Sequence, residues 1–287
     1  MTSPRLDGLS DLVEVGRGAY GLTYRARHQA LRRNVAVKVL NPAQPDTPQE
    51  QLERECRLIA KLARHPNIVR IYTVGTTSDG HLYLVMPFFR RGSLAERTWR
   101  RGPMSWQAAV RVGVQLAGGL QTAHDARVLH RDVKPGNVLV SSRGAPQLTD
   151  FGQAGQVSTL QSGAGPTVAS PAYAAPEVLR GTPPSMSADV YSLAATLVAL
   201  IHGRAPHSRH VGENIVAVMN RVLNDAPVDL RQTGVPDEVC EVLEWALEKE
   251  PRRRPPTAAV FGKALQGAQR RLRIPATELP VETEANG

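Results

Sequence analysis

The sequence is short of cysteine, of long apolar runs and of acidic charge. Two cysteines in 287 residues, Cys56 and Cys240, cannot build a disulfide framework. Both fall in helix-like segments, so reduced, packed thiols in a cytoplasmic compartment are expected. No stretch approaches the ~20 apolar residues that a membrane helix needs. The longest, "LAATLVALI" at 193–201, is far shorter, and the start "MTSPRLDGLSD" has no apolar signal core. A soluble chain with no membrane partner is therefore expected. Asp and Glu number 26 against 35 Lys and Arg, a formal charge of +9. Such an excess can serve an acidic partner such as nucleic acid. No Lys/Arg run alternates with aromatics, however, so a solvated basic surface is expected and nucleic acid is not. Arginines 90, 91, 97, 100 and 101 cluster and could favour acidic peptides or a partner, though a solvated face is expected.

What is present divides in two. The first part reads as strands: "LVEVG", "LTYRA" and "VAVKVL" are short, rich in β-branched residues and separated by turns. A helix follows over 48–64, with Leu52, Ile59 and Leu62 on one stripe. Two further strands are predicted, "IVRIYTVG" at 68–75 and "HLYLVMPFF" at 81–89. From about residue 93 the pattern turns helical. The segment 105–126 is one long helix, weakened by Gly118 and Gly119. The segment 187–203 is apolar on nearly every face, which marks a helix buried in the middle of a layer. Amphipathic helices are predicted at 237–250 and 257–272. From Pro275 the chain is acidic, contains proline and has no period, the pattern of a linker or disordered end. The expectation is an α+β chain, a small strand-rich part followed from about residue 93 by a larger helical part. A linker-like tail over 273–287 completes it.

Several motifs carry chemistry. "GRGAYG" sets Gly16, Gly18 and Gly21 in a GxGxxG pattern, which alone is weak. A dinucleotide site would need a helix next; "LTYRA" is another strand, so a glycine-rich hairpin lying over phosphates is predicted. Strand alternation puts Val35 and Val37 on one face, Ala36 and Lys38 on the other. Glu55 sits on the apolar stripe of the following helix, where a carboxylate is costly unless a cation meets it. Lys38 and Glu55 are therefore read as one buried pair. In "VLHRDVKPGNVLV", Asp132, Lys134 and Asn137 occupy a tight loop between strand-like flanks, and Asp150 in "LTDFG" follows thirteen residues after Asn137. Asn137 and Asp150 supply hard oxygen ligands of the kind magnesium takes alongside nucleotide phosphates. Asp132 is then left to accept a proton from an attacking hydroxyl.

On these residues the chain resembles the eukaryotic-type (Hanks-type) bacterial serine/threonine protein kinases over about 10–272. Gly-rich loop, VAVK, helix glutamate, HRDxKPxxN, DFG and A-P-E at Ala175, Pro176 and Glu177 come in the family's order. A narrower likeness, carried by "GPMSW", "PQLTDFG" and "PAYAAPEVL", is to an actinobacterial kinase domain fused to a transcriptional-regulator-like ATPase region.

The resemblance implies a two-lobed kinase fold as one domain over 10–272, with a strand-rich lobe to about 86, a hinge at 87–92 and a helical lobe over 93–272. It also implies ATP and magnesium (or manganese) as cofactors and proteins with Ser or Thr as substrates. It gives Lys38 and Glu55 the α- and β-phosphates, Asp132 the substrate hydroxyl, Lys134 the γ-phosphate, and Asn137 and Asp150 the metal. The nucleotide is expected among Val15, Gly16, Arg17, Gly18, Ala19, Tyr20, Gly21, Leu22, Thr23 and Ala36, the gatekeeper Met86, hinge residues Pro87 and Phe89, and Leu139 beneath adenine. Pro87 keeps the carbonyl that adenine needs and lacks only an unused N–H. Ile59, Ile71, His130 and Phe151 match a stacked apolar column, Asp189 a brace for the catalytic loop, and Glu177 with Arg254 a structural ion pair. Ser170 is expected to contact the catalytic loop. Arg131 is expected to meet an activation-segment phosphate, with Ser162 and Thr167 as candidate autophosphorylation sites through self-association. A pseudokinase or nucleotide-binding scaffold would be expected to lose Lys38, Asp132, Asn137 or Asp150, and all four stand here. Small-molecule kinases of the aminoglycoside type lack the A-P-E segment that this chain carries.

Overall fold

The β-branched segments at the front of the chain pair into an antiparallel sheet. In the computed structural model, which describes residues 6, 8–18, 21–41, 62, 64–151, 170–210 and 212–281, five strands build it: β1 (Leu9–Gly18), β2 (Gly21–His28), β3 (Arg33–Leu40), β4 (Thr73–Thr76) and β5 (Leu82–Pro87). Their order is β1-β2-β3-β5-β4. Alternation decides which side chains meet: Leu6, Tyr24, Ala26, Val35, Val37 and Val85 form one buried cluster. Ala36 and Lys38 point to the other face and are also buried. The strand expected over 68–75 is shorter: Ile68 makes a single bridge and 69–72 run as irregular chain before Thr73. The helix expected over 48–64 falls almost entirely outside the described residues.

This sheet belongs to a compact unit of Met1–Arg64 and Ile68–Arg90; a second unit comprises His65–Asn67 and Arg91–Gly287. The second is α-helical apart from a small hairpin of β6 (Val138–Val140) and β7 (Pro146–Leu148). Its helices are α1 (Leu94–Arg101), α2 (Trp106–Asp125), the single turn α3 (Pro176–Leu179), α4 (Met186–His202), α5 (Ile215–Asn224), α6 (Asp237–Ala246) and α7 (Ala258–Arg271). The chain is thus an α+β protein with an antiparallel sheet ahead of a helical unit. Among the described residues no helix is long and apolar enough to cross a membrane.

Helix α4 forms the centre of the second unit. Every residue from Ala188 to Ile201 is buried, and each fully buried Leu or Val contributes about 1.5–3 kcal/mol. Ser185 caps its start by accepting the Ala188 N–H, and Gly203, at φ 88°, turns the chain out of its end. Helix α2 packs beside it, and Gly113 permits the approach: a Cβ there would lie 2.5 Å from Leu197 Cδ1. Cys240 is a buried free thiol, and burial pushes its pKa up to about 11; Cys56 lies outside the described residues.

One buried polar group makes stability depend on pH. His207 lies between the Tyr191 hydroxyl and Lys249 Nζ, 3.3 Å from each. Burial, then the charges of Lys249 and Arg221, push its pKa down to about 3. The unfolded chain binds a proton near pH 6.5 that the folded chain refuses, so stability is intact above that pH and falls below it. Acidifying from pH 7 to 5 is expected to cost about 2 kcal/mol through this residue. Urea unfolding of wild type and His207→Gln at both pH values checks this; equal pH dependence in the two proteins would contradict it.

Candidate active site

In the first unit, the glycine motif lies on the β1–β2 hairpin. Gly16 stands opposite Thr23, and Gly18 opposite Gly21, in the ladder. The motif is therefore a hairpin, as its sequence predicts. Gly21 adopts φ 148°, and a Cβ on it would sit 2.1 Å from the Val39 carbonyl oxygen, so no other residue fits. Nothing lies within 4 Å of a Cβ placed on Gly18, so a ligand can approach the backbone there. Arg17 is held along the strand by Glu14 at 3.1 Å, and Val15 beside it is exposed. Lys38 is only 7 % exposed and lies between Thr23 of β2 and Leu84 of β5 in register. Leu22, paired with Val39, completes this part of the hairpin. Met86 is buried opposite Ala36, and Pro87 ends β5 opposite Val35, ahead of Phe88 and Phe89. Glu55, Ala19, Tyr20 and Ile59 lie outside the described residues, so the Lys38–Glu55 pairing stays an expectation.

In the second unit, the candidate residues lie on a strained loop. Arg131 and Asp150 both adopt left-handed backbone, φ 68° and 66°, a conformation that costs a non-glycine residue about 1–3 kcal/mol. Asp189, on the buried helix α4, holds the first of them. Its carboxylate accepts the N–H of His130 and of Arg131, both at 2.8 Å. His124 Nε2, on α2, completes the brace at 2.9 Å. Burial alone would raise the Asp189 pKa; the hydrogen bonds and nearby charge of His124 outweigh it and leave it lowered. Burial likewise lowers His130, against the opposing carboxylates of Asp189, Asp132 and Asp150, so the ring is neutral and packs on Phe151 with centroids 4.6 Å apart.

The chemistry-bearing side chains follow directly. Asn137 Nδ2 donates to the Asp132 carbonyl at 2.8 Å and to its Oδ2 at 3.0 Å. Lys134 Nζ meets the same Oδ2 at 2.7 Å and donates to Ser170 Oγ at 2.6 Å. Both carboxylate contacts use Oδ2; among the described residues Oδ1 takes no hydrogen bond. The β6–β7 ladder extends one step further, the Thr149 N–H donating to the Asn137 carbonyl at 3.0 Å. That step puts Asn137 and Asp150 at adjoining strand ends. Leu139 is half-buried on β6, bridged to Ser93. The structure thus brings together Asp132, Lys134 and Asn137 directly, with Asp150 one residue past their ladder.

The donor set fits a magnesium ion that also binds phosphate. With both Asn137 amide hydrogens committed to Asp132, its Oδ1 is turned away as a hard acceptor. Among the described residues no cluster of three His, Cys, Asp or Glu could cage a metal. Two protein oxygens completed by phosphate and water suit magnesium's reluctance to shed its shell.

The supports expected from the sequence are in place where described. Arg254 makes a bidentate pair with Glu177, 2.7 Å on each arm, stacked against the Tyr191 ring. Arg131 is exposed and among the described residues forms no ion pair. The sequence reading missed His124, a polar group on the buried face of α2. It also missed helix α1, which "SLAE" announces as a capping box: Ser93 Oγ accepts the Glu96 N–H.

A loop that presents Asp132, Lys134 and Asn137 ahead of Asp150, braced from a buried helix, fits the chemistry of phosphoryl transfer. Comparison with known proteins agrees. The protein kinase domain family matches residues 9–265, and the chain belongs to that family. It is 40% identical over 277 residues to serine/threonine-protein kinase PknK of Mycobacterium bovis, covering 96% of this chain and 25% of that protein. PknK of Mycobacterium tuberculosis matches to the same extent. PknB of Mycobacterium leprae is 32% identical over 268 residues, 90% of this chain and 42% of that protein. The chain thus spans about a quarter of the PknK relatives' length. Its fold matches the crystal structure of Rad53 1–466 in complex with AMP-PNP, TM-score 0.74 at 24% identity, over 90% of this chain and 64% of that one.

Proposed function

We propose that this chain is an ATP-dependent serine/threonine protein kinase, transferring the γ-phosphate of ATP to Ser and Thr hydroxyls of proteins. The observation that carries it is Asp132, anchored on Oδ2 by Asn137 and Lys134, while among the described residues Oδ1 takes no hydrogen bond. Asp132 orients the hydroxyl and accepts its proton as the bond to phosphorus forms. Lys134, between Asp132 and Ser170, steadies the γ-phosphate. Lys38 with Glu55 positions the α- and β-phosphates beneath the glycine hairpin, and Ala36, Met86, Pro87, Phe89 and Leu139 hold adenine. Asn137 and Asp150 would hold magnesium or manganese, which when bound offsets phosphate charge. The residues' remaining contribution is positioning, since a loose transition state needs little covalent help.

Lys134 two residues after Asp132 supports Ser and Thr over Tyr, and the PknK and PknB relatives, named as serine/threonine kinases, support it too. Arg131, exposed and without an ion pair among the described residues, supports regulation by phosphate on the activation segment, with Ser162 or Thr167 phosphorylated between two copies; both lie outside the described residues. The buried Cys240 thiol supports a reducing, cytoplasmic setting.

The test is incubation with magnesium and γ-labelled ATP, together with Ser/Thr and Tyr peptides. Label on serine or threonine is expected. Label confined to tyrosine, or ATP consumed with no peptide labelled, would contradict the assignment.

A further inference from the structure

Beyond α7 the chain turns back on itself. Arg273 takes left-handed backbone, φ 55°, and residues 275–281 follow with neither helix nor strand. They are nonetheless fastened. Gln269, buried on α7, accepts the Thr277 N–H at 2.9 Å and donates to Thr277 Oγ1 at 2.9 Å. Gln266 donates to the Thr277 carbonyl at 2.7 Å. Two helical glycines make the groove: a Cβ on Gly262 would lie 2.8 Å from Leu279 Cδ1, and one on Gly118 would lie 2.0 Å from the Pro280 carbonyl oxygen. That carbonyl meets His65 Nε2 at 2.8 Å. Because His65 Nδ1 accepts the Asn67 N–H at 3.0 Å, Nε2 carries the proton and donates it. Asn67 then grips the strand before the metal aspartate. Its side chain donates to the Pro146 carbonyl at 2.7 Å, and its own carbonyl accepts the Leu148 N–H at 2.8 Å. Thr149 and Asp150 come next.

We propose that Thr277–Pro280 is an intramolecular clasp which, through His65 and Asn67, positions Asp150, so that a segment beyond the kinase family's match at 265 is part of the working domain. The inference rests on Asp150 being a metal-holding residue. Pro280, His65 and Asn67 act through it as positioning residues. From Pro280 to Leu148 the links are hydrogen bonds between groups that are buried or half-buried, and the three atoms nearest a Cβ on Gly118 all belong to Pro280. The occupant of this groove is the chain's own tail.

Gly118→Ala tests the clasp without threatening the helix, since alanine is the better helix former while its methyl takes the Pro280 oxygen's place. A chain ending at Ile274 is the second variant. In metal-free protein, hydrogen exchange at the Asn67 and Leu148 amides is expected to speed up about tenfold in both, against unchanged exchange in α4. The magnesium concentration for half-maximal transfer is expected to rise about tenfold with little change in peptide KM. A peptide of residues 274–281 should restore both in the truncated chain. Unchanged exchange at Asn67 and Leu148, in protein whose Thr277 amide has lost protection, overturns the clasp whatever the transfer rate. Faster exchange with an unshifted magnesium requirement overturns its link to Asp150. A wild type that transfers no phosphate counts against the kinase assignment, and exchange still decides the clasp.

Discussion

Asp189→Asn is expected to lower kcat about 100-fold while leaving the chain folded at 25 °C. The carboxylate serves three donors: two backbone N–H groups of the catalytic loop and the His124 ring. An amide offers one acceptor oxygen and turns an NH2 toward a donor, so at least one buried N–H loses its partner. Such an orphan costs about 1–3 kcal/mol. The larger consequence is geometric. Arg131 keeps its left-handed backbone at φ 68° only while the brace holds it, and Asp132 is the next residue. A displacement of about 1 Å at a catalytic group costs on the order of 100-fold. Steady-state kinetics should show the loss in kcat, with the KM for ATP changed little. A variant with wild-type kcat would remove Asp189 from the mechanism.

Arg254→Ala is expected to cost about 3–5 kcal/mol of stability, because it strands a buried carboxylate. Arg254 is 2 % exposed and Glu177 9 %. The guanidinium also donates to the carbonyls of Glu248 at 2.7 Å and Lys249 at 3.0 Å, which no replacement side chain reaches. Lysine cannot stand in, having no planar fork to match the bidentate geometry. For a chain of this size the loss corresponds to a fall in Tm of about 10 °C. Replacing both partners by methionine should recover part of it, since the uncompensated charge rather than the lost pair causes most of the damage. A single alanine variant that melts with wild type would show that the pair is not buried in solution.

The site was more legible in the sequence than the fold around it, and for a physical reason. Asp132, Lys134, Asn137 and Asp150 are polar groups between strand-like flanks, at spacings imposed by one loop and one short hairpin. Their order in the chain reflects their order in space. Lys38 was legible from strand alternation, and the Gly16–Gly21 hairpin from the strand that follows it. His124 was not: its partner Asp189 is 65 residues away, and only packing of α2 on α4 brings them together. Helix α5 was missed because exposed Ile215 and Val216 blur its apolar stripe. Gly118 read as a weakness in a helix, when it is the space that the Pro280 carbonyl fills. The segment 275–281 has no period to betray its packing, because its bonds run from side chains to irregular backbone.

The most direct test of the central claim is single-turnover phosphate transfer by wild type and Asp132→Asn, with ATP affinity measured on the same preparations. Asparagine keeps the size of Asp132 and loses the basic oxygen proposed to accept the hydroxyl proton. Transfer to serine or threonine peptide is expected to fall by about 10²–10⁴-fold, with ATP binding and Tm close to wild type. Undiminished transfer by Asp132→Asn would contradict the assignment of this loop as the catalytic centre.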